Sequence, residues 1–382
     1  MSALRITTLD NLTCAGQRNE ACIHLSGQSP SDRTMAQTPQ QDGNSGYGLE
    51  AKVRALRDPA SYPEAPRAIE ARETHMSWVF LTERHVYKLK KPVRYDFLDF
   101  STLEKRRADC EAEVRLNRRF APDVYLGVVA LTVDAQGALR LNGEDEAIEW
   151  LVKMRRLPAE HMLDQRIRAD RLDNAEILRV AQRLADVYRQ CAPETSDANA
   201  YRARFAAAIE LNRRELARPE FNLPAATIAA AHAAQVSFLA HDAALLDARV
   251  AAGRIIEGHG DLRPEHVCLE PEPVIIDCLE FNREFRIIDP ADELAFLAME
   301  CACLGAPDVG ELLASACLAA IGDSPSARLV TFYKLFRAMM RARLVIWHVR
   351  ELEPKDWPKW QRSAQNYLAL ADAYARNLAA RG

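Results

Sequence analysis

No C-x-x-C pair occurs among the nine cysteines of this 382-residue sequence; the closest two, Cys301 and Cys303, have one residue between them. Cys268, Cys278 and Cys317 sit inside apolar runs. Cysteine here reads as a small core residue, which fits a reducing cytoplasm better than a disulfide framework. No uninterrupted apolar stretch approaches the roughly 18 residues that span a bilayer. The opening segment MSALRITTLDNLTCAGQRNE has no apolar h-region, so it does not read as a secretory signal. The expectation is a cytoplasmic chain with no membrane partner. A basic excess is missing too. The formal charge of −4 argues against nucleic acid as a partner.

What is present suffices for two lobes, each with its own core. Residues 1–48 are rich in Ser, Thr, Gln, Asn and Gly; they cannot bury enough apolar surface to offset chain entropy and read as a disordered tail. A short helix, LEAKVRALRDP, stops at Pro59. MSWVFLTERHVYKLKKPV gives two β-rich runs around TERH, a hairpin signal, and Pro92 ends the second run. A helix follows, capped by Ser101 or Thr102, with Pro122 beyond its end. VYLGVVALTVDAQGALRLNG and EAIEWLVKMRRLP add three strands. After Pro158 the pattern becomes helical, including an Ala-rich run from Pro224 to Val250, and it stays helical to the end except at GHGDLRPEHVCL and VIIDCLEF. The fold class is α+β: a small β-rich N-lobe over residues 49–152 and a larger helical C-lobe over 153–382. The junction near Val152 to Arg156 would be a hinge.

The two interruptions carry the chemistry. They set Asp261 and Asp277 sixteen positions apart, a spacing that suggests a metal–phosphate site. Asp277 ends the apolar run PVIID; a carboxylate buried there needs compensation, which a divalent cation or local backbone amides would supply. HGDLRPEH followed by IIDCLEF resembles the catalytic and metal-binding loops of the aminoglycoside phosphotransferase and choline kinase branch of the protein-kinase-like fold. ETHMSWVFL, VYKLKKPVRYDFLDFSTLE and LNRRFAPDVYLGVV resemble an uncharacterised bacterial group within that branch; together the motifs cover roughly residues 50–300.

The resemblance implies a two-lobed kinase-like fold, ATP or another nucleoside triphosphate, Mg2+ or Mn2+, and a small-molecule acceptor. In H-R-D-x-x-x-x-N the aspartate orients the nucleophile and the residue five on holds a metal. Asp261 matches the first and His266 the second, where an asparagine would stand. Asp277 matches the metal-binding aspartate of D-F-G, although this sequence reads Asp-Cys-Leu. Magnesium prefers oxygen ligands and imidazole suits softer cations. His266 therefore binds such a cation, leaves Asp277 to hold one magnesium alone, or marks a site that no longer transfers phosphate. Gly260 in place of the arginine of H-R-D argues against control by a phosphorylated activation loop.

Strand alternation places Val86, Lys88 and Lys90 on one face and Tyr87 and Leu89 on the other. Val86 suits the adenine roof two residues before Lys88, so Lys88 is the phosphate lysine, with Lys90 the alternative and a solvated strand edge the rival reading. At about 100° per residue, Glu113 falls on the stripe of Cys110, Leu116 and Phe120, while Glu111 turns away with Glu104 and Arg107. Glu113 is thus the candidate partner of Lys88. The G-x-G-x-x-G loop is absent, and the resemblance implies backbone amides and Ser77 in its place. It also implies backbone groups of Val152 to Met154 at the adenine edge. Glu293, with Asp289 and Asp292 nearby, would anchor the catalytic loop from below.

Three functions compete on these residues: a small-molecule kinase, a nucleotide-binding pseudokinase acting through partners, and a metal-dependent hydrolase ligated by His259, Asp261, His266 and Asp277. Neither the acceptor nor the oligomeric state is written in the sequence.

Overall fold

The structure, a computed structural model, describes residues 46–95 and 98–380, the side chains of 350 and 351 excepted. The tail expected over 1–48 lies almost wholly outside the described residues. The first lobe runs α1 (Leu49–Leu56), β1 (Glu70–Glu73), β2 (Ser77–Leu81), β3 (His85–Lys90), β4 (Arg94–Tyr95), β5 (Leu98–Asp99), α2 (Leu103–Asn117), β6 (Tyr125–Val133), β7 (Leu139–Leu141) and β8 (Ala147–Arg155). Six of these strands form one antiparallel sheet in the order β1-β2-β3-β8-β6-β7. The last strand of the lobe therefore inserts between β3 and β6. The hairpin at TERH and the three strands after α2 follow the apolar alternation. Strand β1 reads Glu-Ala-Arg-Glu and lacks that alternation, so pattern alone did not announce it.

The two faces of β3 meet different partners. Tyr87 and Leu89 are buried with Phe80, Leu131 and Leu151 under Val53 and Leu56 of α1. On the other face, Lys88 stands opposite Val79 and Val152, and Lys90 stands opposite Ser77; directly opposed residues share a face. Helix α2 covers that face, with Cys110 and Val114 packed against Val152 and Tyr125. Thr102 caps α2 by accepting from the Lys105 amide at 3.3 Å, a contact that contributes about 1 kcal/mol. A helix this charged can be buried only if its ions are paired. Arg106 donates to both Glu149 oxygens at 2.9 and 2.8 Å, and Lys52 adds a third donor at 2.9 Å.

The second lobe runs α3 (Leu163–Arg168), α4 (Asn174–Gln190), α5 (Ala198–Leu216), α6 (Ala225–His241), α7 (Ala244–Ala251), β9 (Ile256–Glu257), β10 (Val267–Cys268), β11 (Val274–Ile275), β12 (Ile287–Ile288), α8 (Pro290–Cys303), α9 (Pro307–Ala320), α10 (Ala327–Trp347) and α11 (Trp357–Ala380). Helix α4 starts on an Asp173–Glu176 capping box and buries Ile177, Val180, Ala181, Leu184 and Tyr188, one helical stripe. Helix α8 is buried on every side from Pro290 to Cys301, so its acids are paired as well. Arg337 holds Asp292 at 2.7 and 2.6 Å, and Arg341 holds Glu300 at 2.7 Å.

Two expectations are corrected. The Ala-rich run is two helices, broken at Asp242, whose carboxylate accepts from Arg328 of α10 at 2.7 Å; tertiary pairing overrides alanine's helix preference there. The strand in VIIDCLEF is only Val274–Ile275, paired with Val267–Cys268, because Asp277 takes a left-handed φ of 63° and turns the chain. The seven described cysteines are free thiols. Among the described residues no helix is long and apolar enough to cross a membrane.

Candidate active site

Lys88 reaches from the middle of β3 to both lobes. Its Nζ donates to Glu113 Oε1 at 3.0 Å and to Asp277 Oδ1 at 3.2 Å. Glu113 is fully buried on the face of α2 that the periodicity assigned to it, whereas Glu111 points outward to Arg107 at 2.9 Å. Lys90, the alternative lysine, is engaged as well. Its Nζ lies 2.7 Å from Glu113 Oε2, 2.6 Å from Asp109 Oδ2 and 2.5 Å from Glu280 Oε1, over the Phe100 ring. Since β3 is interior to the sheet, neither lysine guards an exposed edge.

The assembly holds two ammonium groups against four carboxyls. Burial opposes the charge of both lysines, but the surrounding carboxylates outweigh it and hold both well above the ordinary lysine range. Burial likewise works to raise the Asp277 carboxyl, and Lys88 with His266 overrides it, keeping that group ionised far down in pH. Glu280 goes the other way: burial pushes it up to about 7.

The loop bearing Asp261 is hung from α8. Glu293 accepts from the amides of His259 at 2.9 Å and Gly260 at 2.6 Å, and from the Tyr188 hydroxyl at 2.7 Å. Gly260 has φ +86, and a Cβ there would meet Leu279 Cδ1 at 2.9 Å and the Phe285 carbonyl oxygen at 3.0 Å. Glycine is therefore a steric requirement at this position of the loop. His259 packs behind it, edge-on to Phe120, with Nε2 2.9 Å from the Ile276 carbonyl; burial pushes its pKa down to about 3, so the ring is neutral.

His266 lies between the two aspartates. Its Nδ1 is 2.7 Å from the Asp261 backbone oxygen, which fixes the proton on that nitrogen. Nε2 lies 3.3 Å from Arg263 Nη2 and 3.6 Å from Asp277 Oδ2. Arg263, buried, donates through Nε to Asp261 Oδ2 at 3.1 Å and through Nη1 to Glu265 at 2.9 Å. Sequence reading passed over Arg263, although a guanidinium two residues past Asp261 was a visible signal. It also passed over the groups that brace Asp277. The Asp277 amide donates to Tyr125 Oη at 3.0 Å, and the next amide donates to Asn117 Oδ1 at 2.8 Å. No local pattern marks those contacts.

No protein-family model matches the chain. Uncharacterised proteins of Mycobacterium bovis and Mycobacterium tuberculosis are 31% identical to it over 283 residues, 72% of this chain and 54% of theirs. The chain thus spans about half the length of the curated relatives it matches. Among solved structures, choline kinase from Cryptosporidium parvum superposes with a TM-score of 0.52 at 11% identity, covering 87% of this chain and 97% of that one. This chain has the two-lobed fold of that choline kinase. Lower scores come from a choline/ethanolamine kinase family protein of Mesorhizobium loti, 0.47 at 15% identity over 86% of this chain and 98% of that one. A thermostable mutant of an aminoglycoside phosphotransferase gives 0.45 at 14% identity, over 81% and 94%.

Val152, Met154 and Ser77, expected at the nucleotide, all lie in the six-stranded sheet. Val152 and Met154 lie in β8 with ladders on both sides, Val152 paired with Lys88 and Val128, and Met154 with Val86 and Tyr125. Their backbone groups face sheet neighbours; the chain leaves the sheet after Arg155, inside the expected hinge span of Val152 to Arg156 and three residues beyond the expected boundary at 152. Ser77 is buried opposite Lys90 in β2, beyond the Thr74–Met76 turn. For a divalent cation, Asp277 and the surplus of carboxylate fit. His266 fits less well, because the nitrogen a metal would take already faces an arginine donor. His259, turned to the Ile276 carbonyl, does not join a ligand set with His266 and the two aspartates. Among the described residues no three His, Cys, Asp or Glu side chains gather as a metal cluster.

Proposed function

We propose that this chain is an ATP-dependent phosphotransferase acting on a hydroxyl of a small molecule. The observation that carries the reading is the meeting of Lys88, Glu113 and Asp277 through contacts of 3.0 and 3.2 Å, with His266 joining Asp277 to Asp261. Phosphoryl transfer asks for this inventory: fixed cationic charge for the phosphates, a carboxylate for the metal, and a second carboxylate at the acceptor. Lys88, oriented by Glu113, would turn from Asp277 to the phosphate oxygens of the nucleotide. Val86, on the same sheet face, would cover the base, with Met154 beside it. Asp277 would hold Mg2+ or Mn2+ together with phosphate oxygens, and that cation supplies charge neutralisation across the phosphates. Asp261, its Oδ2 steadied by Arg263, would orient the acceptor hydroxyl and receive its proton. A new O–P bond forms to the hydroxyl oxygen, the bond to the bridging oxygen breaks, and ADP leaves. In this reading His266 orders Asp261 and Arg263 and does not ligate the cation.

A nucleotide-binding role without transfer is the second reading. One observation favours it: Arg263 faces His266 Nε2 where a second metal ligand would be needed. Turnover of Mg·ATP with a panel of small hydroxyl compounds tests the choice. Wild type should consume ATP, and Asp261→Asn and Asp277→Asn should each lose roughly 100- to 1,000-fold without a change in melting that implies unfolding. Nucleotide binding that needs no divalent metal, with no turnover under any condition, would decide for the second reading.

A further inference from the structure

Of the two lysines on the cleft face of β3, only Lys88 has work in the proposed transfer. Lys90 is fully buried, 0% exposed in its side chain against 18% for Lys88, and so it is withdrawn from any ligand. Yet it makes the shorter contacts. Glu113 divides its two oxygens, Oε1 to Lys88 at 3.0 Å and Oε2 to Lys90 at 2.7 Å. Asp277 and Glu280, three residues apart on one loop, divide likewise: Asp277 meets Lys88 at 3.2 Å and Glu280 meets Lys90 at 2.5 Å. The contacts close a ring through strand, helix and loop: Asp277, Lys88, Glu113, Lys90, Glu280. Asp109, one helical turn before Glu113, adds a second tie from α2 to Lys90 at 2.6 Å.

We propose that Lys90 is a positioning residue, a buried clamp that fixes α2 and the Asp277 loop against β3 while Lys88 is free to exchange partners. This rests on the phosphotransfer reading. The physical need follows from the geometry of Lys88. When that ammonium turns to a phosphate, its contact with Asp277 loosens, and Glu113 loses part of its hold on the strand. Without a second cation, the Asp277 loop would then have no cationic tie to β3 at this level, and α2 would keep only the weakened Lys88–Glu113 contact. Lys90 supplies the invariant contact. An ammonium suits the place because it is a compact point charge with three donors, and three carboxylates from two elements converge on it. Removal of two of its charged partners still leaves Lys88 and Asp277 with their own groups, so the clamp and the chemistry can be separated by mutation.

Lys90→Met alone strands two buried carboxyls, Asp109 and Glu280, while Glu113 keeps Lys88, and it risks unfolding. The informative variant is therefore Lys90→Met with Glu280→Gln and Asp109→Asn, which removes the uncompensated charge along with the ammonium, and Lys90→Arg serves as the conservative rescue. Phosphate release from Mg·ATP at saturating nucleotide and hydrogen exchange across residues 276–282 are followed in each. The triple variant should keep its cooperative melt, exchange at least tenfold faster over 276–282, and turn over at least tenfold more slowly at saturation. Lys90→Arg should recover most of both. A triple variant that turns over as fast as wild type overturns the clamp alone, whatever its exchange does; so does slower turnover with unchanged exchange in that loop. A wild type that neither binds nor turns over Mg·ATP overturns the phosphotransfer reading and the clamp with it.

Discussion

The Arg337–Asp292 pair in the helical lobe and the Lys88–Lys90 assembly in the cleft are both buried charge, built on opposite plans. Arg337 grips one carboxylate through two parallel donors, 2.7 and 2.6 Å, between α10 and α8. The planar fork leaves that pair one geometry. The cleft uses ammonium groups, each shared among several carboxylates drawn from different elements. A shared point charge can change partners at small cost, whereas a bidentate fork cannot. The first plan suits a scaffold, and the second suits the proposed phosphotransfer site, which would accept another charged body and release it.

That contrast can be broken at several points. The largest loss of stability should come from Arg337→Met, which leaves Asp292 buried without its partner. Unfolding free energy should fall by about 3–5 kcal/mol, read by denaturant melts, and Arg337→Met with Asp292→Leu should recover most of it. Lys88→Met is the counterpart in the cleft. Glu113 keeps Lys90, so the melt should move less than in Arg337→Met, while Mg·ATP turnover falls about 100-fold. A large stability loss with unchanged turnover would erase the distinction between the two plans.

A smaller effect is expected from Glu280→Gln. Its pKa is raised from 4.5 to about 7 in the folded chain, with burial the leading cause. The folded state therefore binds that proton more readily than the unfolded chain does. The Glu280 contribution is fully present below about 4.5 and is lost as pH rises through about 7. Melting temperature of wild type, relative to Glu280→Gln, should decline between pH 5 and 8; a difference that is flat with pH would show that Glu280 titrates normally. Smallest of all, Arg107→Ala removes the exposed pair with Glu111 and the stacking of its guanidinium over Trp150, and should change stability by no more than about 1 kcal/mol.

Much of the site was legible because short-range rules govern it. Helical periodicity separated Glu113 from Glu111, strand alternation put both lysines on the face away from Tyr87 and Leu89, and the two loops located Asp261 and Asp277. The rest depended on contacts that no local rule encodes. Alternation could not choose between Lys88 and Lys90, since it gives both one face; the structure engages both because Glu113 has two oxygens to offer. The expected hinge span of Val152 to Arg156 begins inside β8, because a sequence does not announce that this strand runs on to Arg155 between β3 and β6. Arg263 stood in the same loop as Asp261 and could have been weighed. Glu280 could not, because its partner on β3 is 190 positions away.

By itself the sequence determined the two-lobed α+β order, the helix stripes, the β3 faces and the pair of acidic loops, all of which follow from periodicity, caps and turn residues acting over a few positions. Tertiary structure alone decided which buried charges meet, why Gly260 must lack a Cβ, which nitrogen of His266 faces Arg263, and that Lys90 closes a ring with Glu280. Those outcomes depend on distances between elements far apart in the chain, and burial makes each of them binding, since a buried charge or donor must find its partner wherever the fold brings one.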